Sequence, residues 1–292
     1  MGVGRLRAVS NSDRGAVLIS GSSTGIGRAS ALLLDRKGFR VFAGVRNRGD
    51  AESLEAQGSD RLEPVILDVT DEGTIAATRE RIEDQTGGRL AGLVNNAGVA
   101  MGGPIEALSL EALRQQLEVN VIGQVAVTQA MLPMIRAARG RVCFISSIGG
   151  RVALPYVSPY AASKHAIEAV GDSLRREMMS FGVEVSIVEP GAVATPIWEK
   201  GGEEAAKLRA QATPDQLEAY GPVLERFERL FIEAGKGGVP PDDVAGMVEH
   251  ALTAEKPKTR YLVGRDAKLR AAVRRFLPDR FLDRQIARRF EG

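Results

Sequence analysis

Residues 16–38 read AVLISGSSTGIGRASALLLDRKG. Ala16 to Ile19 is a continuous apolar run of strand length, too short for a helix. SGSSTGIG follows, dense in residues that let a backbone turn tightly. RASALLLDRKG then spaces its apolar residues along one helical face and closes at Gly38, which suits a left-handed C-terminal cap. Strand, glycine turn and helix in this order begin a parallel βαβ unit. Gly21, Gly25 and Gly27 are spaced G-x-x-x-G-x-G, not the G-x-G-x-x-G of the common dinucleotide turn. The physical logic is shared. Glycines let the backbone approach a pyrophosphate, and the helix N-terminus offers it free N–H groups and a positive dipole end.

The alternation continues down the chain. Short apolar, β-branched runs at 41–45, 65–69, 90–96, 141–147, 183–188 and 260–263 read as strands, the sixth in chain order, 183–188, broken by Glu189-Pro190-Gly191. Helical spacing occupies 71–85, with Thr70 or Asp71 as cap, then 108–138, 160–180 and 242–253. A short polar helix fits between Gly49 and Pro64. The 108–138 helix is apolar on most sides and is expected to be buried. This pattern calls for an α/β fold, a parallel sheet covered by helices on both faces. No linker and no internal repeat divides it.

Composition is that of an ordinary folded chain, 44% hydrophobic and 26% charged over 292 residues. A net charge of +2 gives no global pull toward nucleic acid. One cysteine, Cys143, excludes an internal disulfide and a multi-cysteine metal site, and two histidines argue against a His-rich one. Cys143 sits in an apolar run and reads as a small buried hydrophobe. The first residues lack a secretory apolar region, and no apolar run approaches membrane-spanning length. These features point to a soluble cytoplasmic protein.

Residues 147–164 read SIGGRVALPYVSPYAASK. Tyr160 and Lys164, at i and i+4, share a helix face. A neighbouring ammonium favours the phenolate, which would let Tyr160 exchange a proton near neutral pH. Ser147 ends an apolar strand, where its hydroxyl can bond a substrate oxygen. A hydride carrier beside them would complete carbonyl/alcohol redox chemistry.

SGSSTGIG, NNAG at 95–98, Ser147, YAASK at 160–164 and Pro190-Gly191 occur in the order and approximate spacing of the short-chain dehydrogenase/reductase family. The resemblance runs from about Gly15 to Gly264, and its style is that of the branch containing retinol and 17β-hydroxysteroid dehydrogenases. It implies a single Rossmann-type, doubly wound domain with a seven-stranded parallel sheet, binding NAD or NADP. By resemblance Tyr160 is the acid/base, Lys164 holds the nicotinamide ribose and lowers the tyrosine pKa, and Ser147 binds the substrate oxygen. Asn120 matches the asparagine that holds a water in a proton relay. Gly21, Ser23, Thr24, Gly25, Ile26 and Gly27 form the phosphate turn. Asp68, flanked by Val69, resembles the carboxylate that accepts from the adenine amino group; its other reading is a helix N-cap. Asn95 positions cofactor or sheet, and Ala97 and Gly98 let the dinucleotide lie close. Pro190, Gly191, Val193 and Thr195 resemble the segment that covers the nicotinamide. Ser20, where the family usually has threonine, is a departure that keeps a hydroxyl.

The implied activity interconverts a secondary alcohol and a carbonyl on an apolar small molecule such as a steroid or retinoid. A dinucleotide-binding regulator or scaffold without turnover is the alternative. NADP(H) is expected over NAD(H), because Val45 and Arg46 stand where NAD users of this fold carry a carboxylate. Residues 1–14 read as a tail, and 195–240 as a mobile substrate lid that carries Trp198, Tyr220, Phe227 and Phe231, with Gly201-Gly202 and Gly237-Gly238 as its hinges. Residues 265–292 read as a basic amphipathic appendage, split at Pro278, for docking rather than catalysis. Packing on its own domain or a second subunit of a homodimer or homotetramer is favoured there over an anionic membrane surface.

Overall fold

The computed structural model describes residues 14–291, so residues 1–13 and the side chains of Phe227, Phe231 and Phe290 lie outside the described residues. The strands are β1 (Ala16–Ile19), β2 (Arg40–Val45), β3 (Leu62–Ile66), β4 (Gly92–Asn95), β5 (Arg141–Ile145), β6 (Glu184–Pro190) and β7 (Arg260–Val263). Between and after them run α1 (Gly25–Arg36), α2 (Arg48–Glu55), α3 (Glu72–Thr86), α4 (Leu110–Leu117), α5 (Gly123–Ala138), α6 (Ser158–Met178), α7 (Ile197–Gln211), α8 (Pro214–Lys236), α9 (Pro241–Thr253), α10 (Arg265–Phe276) and α11 (Asp279–Glu291). The seven strands form one sheet in the order β3-β2-β1-β4-β5-β6-β7, and every pairing is parallel.

Side chains alternate across each strand, and both faces are apolar, which is why the strands read as continuous apolar runs rather than alternating ones. Leu18, Phe42, Leu93 and Phe144 meet Ile82, Met131, Ile135 and Ile167 on one face. Val17, Val41, Val94 and Cys143 meet Leu34, Val244 and Val248 on the other. Burial pushes the Cys143 thiol up to about 12, so it behaves as the small hydrophobe its setting suggests. Strand order reverses between β1 and β4, and in such sheets the crevice at the carboxyl ends of the strands beside that point is where ligands bind.

Several elements differ from the sequence expectation, each for a physical reason. β3 begins at Leu62 and ends at Ile66, not 65–69. Its start hides behind Glu63 and Pro64; an edge strand tolerates proline, and Glu63 pairs with Arg81 at 2.7 Å. β6 runs through Glu189 to Pro190 instead of breaking before them. Glu189 is 0% exposed there because Arg151 (2.7 Å) and Arg260 (3.0 Å) pair with it. The expected single helix over 108–138 contains a π turn at Glu118–Ile122. The whole stretch Leu110–Ala138 is long and apolar enough, by length and composition, to cross a membrane, a length the sequence reading did not credit to any run. Its apolar residues Val127, Met131, Met134 and Ile135 are buried against the sheet.

The 197–236 region is two helices. Gly201 and Gly202 lie inside α7, and Gly237 closes α8. α8 starts with a capping box between Thr213 and Gln216. Pro278 separates α10 from α11 as the sequence suggests.

Candidate active site

A cleft of about 1050 Å³ opens at the carboxyl ends of the central strands. Gly21, Ser23, Thr24, Gly25, Ile26, Arg46, Asp68, Val69, Ala97, Gly98, Ser147, Tyr160, Lys164, Pro190, Gly191, Val193 and Thr195 line it. Gly27, Asn95 and Asn120, also expected to contribute, do not line it and act from behind.

The floor is the turn between β1 and α1. Gly21 (φ 66°) and Gly25 (φ 55°) adopt left-handed conformations that side chains resist. A Cβ on Gly27 would collide with the Gly21 carbonyl oxygen, so this glycine lets α1 sit directly on the turn. The first turn of α1 carries no acidic residue, and Thr24 at the N-cap makes no side-chain capping bond. By contrast α2 and α3 are capped by Asn47 and Asp71. The uncapped N–H groups of α1 therefore face the cleft, a donor set and dipole end that fit a dinucleotide's pyrophosphate.

Two side chains hold this turn against β4. The Ser20 hydroxyl accepts from the backbone N–H groups of Asn96 and Ala97, both at 3.0 Å. The Asn96 amide donates to the carbonyls of Ser20 (2.9 Å) and Gly21 (3.0 Å). Of the NNAG motif the sequence reading named Asn95, Ala97 and Gly98; the Asn95 amide donates to Thr128 at 2.7 Å and ties β4 to α5. Asn96, the residue that grips the glycine turn, was missed; its place directly before the small Ala97-Gly98 pair was the available signal.

The π turn aims Asn120 into the protein, where it is fully buried. Its Oδ1 accepts from the Val99 N–H (2.8 Å), and its amide donates to the Val99 carbonyl (3.0 Å) and to Ser163 (3.1 Å). A side chain engaged in this way braces the 97–99 segment. Asp68 is not an N-cap, since Asp71 caps α3. Its Oδ1 accepts from the Thr70 N–H (2.9 Å) and hydroxyl (2.8 Å).

Ser147, Tyr160 and Lys164 meet on one side of the cleft. The Ser147 hydroxyl donates to the Pro190 carbonyl (3.5 Å) and accepts from the Gly149 N–H (3.0 Å). Lys164 Nζ lies 5.7 Å from the Tyr160 ring centroid and donates to the Ile145 carbonyl at 2.9 Å. Burial raises the Tyr160 phenol above its ordinary value, with a hydrogen bond to Ser147 opposing. Burial also pulls the Lys164 ammonium down to about 8, with the Glu168 carboxylate opposing. Lys164 Nζ sits over the Tyr160 ring, and loss of water is the largest influence on the phenol.

Behind Lys164 stands an ionic cluster drawn together from distant parts of the chain. Arg260 pairs with Glu168 (3.0 Å), Asp172 (2.9 Å) and Glu189 (3.0 Å). Its members come from α6, β6 and β7, so their sequence separation conceals it. Burial raises Glu189 despite Arg151 beside it, while the hydrogen bond from Arg260 lowers Asp172 to about 2.

The model of the short chain dehydrogenase family matches residues 15–206. The chain belongs to that family. It is 38% identical over 273 residues to the NADPH-dependent 3-dehydrocapnine reductase of Ornithobacterium rhinotracheale, covering 91% of this chain and 94% of the relative. It is 41% identical over 271 residues to retinol dehydrogenase 7 of Rattus norvegicus, covering 90% and 84%. Among solved structures, a short-chain dehydrogenase/reductase from Burkholderia phymatum in complex with NAD superposes with a TM-score of 0.75 at 26% identity, covering 90% and 92%. This short-chain dehydrogenase accordingly is an oxidoreductase of the kind that acts on CH–OH and C=O groups, with the seven-stranded sheet that its family resemblance implied.

Two measurements follow from this geometry. Ser20→Ala leaves two backbone N–H groups without their acceptor, at about 1–3 kcal/mol for each buried donor left unsatisfied. Urea unfolding should show a loss in that range or above. The second concerns Lys164, whose folded pKa lies below its unfolded value of 10.5. Burying the charge costs stability in full below about pH 8, and the cost fades as pH rises toward 10.5. Between those values the Lys164→Met protein should gain less stability with rising pH than the parent, as read from unfolding midpoints at several pH values.

Proposed function

We propose that this enzyme is an NADP(H)-preferring oxidoreductase that interconverts a secondary alcohol and a carbonyl on an apolar substrate of steroid or retinoid kind. The observation that carries the reading is the convergence of Ser147, Tyr160 and Lys164 beside the uncapped N-terminus of α1 in one cleft. A bound nicotinamide dinucleotide would supply or accept the hydride. Gly21, Ser23, Thr24, Gly25 and Ile26 would hold its phosphates, Asp68 and Val69 its adenine end, and Ala97, Gly98, Pro190, Gly191, Val193 and Thr195 its nicotinamide half.

Tyr160, held above its ordinary pKa by burial, is a neutral phenol near pH 7 and can donate a proton to an oxygen on which charge develops. Ser147 directs a hydroxyl at the same oxygen, where a preplaced donor stabilises the transition state more than the ground state. Lys164 carries positive charge below about pH 8 and supports negative charge on the phenol once its proton has left. Val99, Met101, Ile197 and Trp198 give the cleft apolar wall. That lining supports an apolar substrate, as does the likeness to a retinol dehydrogenase. α7 carries Trp198 on this side, its indole donating to the Val193 carbonyl (2.6 Å), and on α8, packed against α7, Tyr220 donates to Glu106 (2.8 Å). In this reading they form the substrate cover.

Cofactor preference rests on the end of β2. Val45 is buried, and the exposed Arg46 after it lines the cleft with no carboxylate bound to it among the described residues. An arginine there suits a 2′-phosphate, and no acid repels one. Arg48 is paired with Glu52 at 3.4 Å and is the weaker candidate. The likeness to an NADPH-dependent reductase supports the same preference.

With an active ketone found by following NADPH oxidation across a panel, Tyr160→Phe should lower turnover about 100- to 10,000-fold and spare NADPH binding. Retention of near-normal turnover would overturn the mechanism. Val45→Asp combined with Arg46→Ala should shift the ratio of kcat/KM values toward NADH, and a parent enzyme already more efficient with NADH would refute the assignment.

A further inference from the structure

α10 reaches the cleft wall. Residues 190–194 form that wall, and three of their backbone groups are taken by flanking backbone. The Gly191 N–H donates to Val263 (2.9 Å), the Ala194 N–H to Val239 (3.0 Å), and the Ala192 carbonyl accepts from the Val239 N–H (2.9 Å). The Ala192 N–H instead donates to a side chain, Asp266 Oδ2, at 3.1 Å. Asp266 lies in the first turn of α10, and the next residue, Ala267, is 0% exposed, so the helix start is fixed to the body.

The carboxylate fills a space made by two glycines. A Cβ on Gly191 would collide with both Asp266 oxygens, and one on Gly264 (φ 98°) would come within 2.6 Å of Oδ1. Gly191 therefore serves the carboxylate as well as the cleft. The wall in turn touches the reacting side, since the carbonyl of Pro190 accepts from Ser147. A continuous set of contacts thus joins α10 to the serine: Asp266, Ala192, Gly191, Pro190, Ser147.

We propose that Asp266 is a positioning residue that sets the 190–194 wall for the dinucleotide, making the start of the C-terminal segment part of the cofactor site. This rests on the dinucleotide-binding reading above. It also revises the sequence view of 265–292 as concerned with docking alone, because truncation after Gly264 removes this carboxylate.

Trp198 is the single tryptophan of the chain and lines the cleft, so its fluorescence reports NADPH binding at this site. Titrations with NADPH, KM and kcat for NADPH, and thermal midpoints without ligand are measured for the parent and for Asp266→Ala, Asp266→Glu and Asp266→Asn. Asp266→Ala removes the acceptor. Asp266→Glu keeps the charge and lengthens the arm against Gly191. Asp266→Asn keeps the acceptor and the shape. Ala and Glu should weaken NADPH binding and raise its KM about tenfold or more, in keeping with a lost bond to a charged acceptor, with kcat changed less. Asn should stay within about threefold of the parent. If Ala does not fold, the contrast of Glu with Asn carries the test. Lower thermal midpoints with unchanged Kd and KM, or Glu binding as tightly as Asn, would overturn the proposal. A parent protein that binds neither NADPH nor NADH would overturn the dinucleotide reading itself, and this inference with it.

Discussion

The site depends on a small hydrogen-bonded joint between the ends of β1 and β4. A glycine turn has little conformational preference of its own, so something must select the one shape that turns N–H groups outward. Ser20 and Asn96 do this with four partly buried bonds, two accepted and two donated. They link segments about seventy-five residues apart at the place where strand order reverses. With that joint made, α1 starts in a fixed direction and Gly27 can seat it without a gap. The same joint holds Ala97 against Gly21, which keeps the floor of the cleft low.

Electrostatics on the far side of the cleft have a different character. Tyr160 and Lys164 are both shifted toward their neutral forms by loss of water. Glu168 opposes that shift at the lysine, and Arg260 keeps Glu168 in turn from standing as an uncompensated buried charge. Such a chain of alternating charges is held in place because removing one partner strands the next. It also ties α6 to β6 and β7, the strands whose ends carry the 190–194 wall.

Much of this was legible in the sequence, and the divisions are instructive. β1 and β7 were read to the residue because apolar runs bounded by turn formers leave few alternatives. β3 was misplaced because it is an edge strand, where Glu63 and Pro64 are permitted and blur the apolar signal. Of the residues that line the cleft, the glycine turn and the Tyr160-Lys164 pair were readable as local patterns, and Asp68, Val69, Pro190 and Gly191 through the family resemblance. Those that support it were not. Asn96, Asp266 and the Arg260 cluster act through contacts across the fold, and nothing in their immediate sequence announces the partner. Asn120 was visible but its bonds to Val99 were not, because the π turn that turns it inward leaves no compositional trace.

That π turn also separates two tasks along one rod. An α-helix advances about 100° per residue, so the extra residue shifts the phase of everything beyond it. Before Glu118–Ile122, Arg114 and Gln115 look into the cleft; after it, Val127, Met131 and Ile135 look into the sheet. Both alignments hold only while the intercalated residue is present. Excising one residue there would leave composition and helicity almost unchanged, yet it would rotate one half against the other and force the chain to give up either its core or its cleft wall. The helix is therefore indexed, like a key cut on two sides, and its length is a specification that conservative substitution could never reveal.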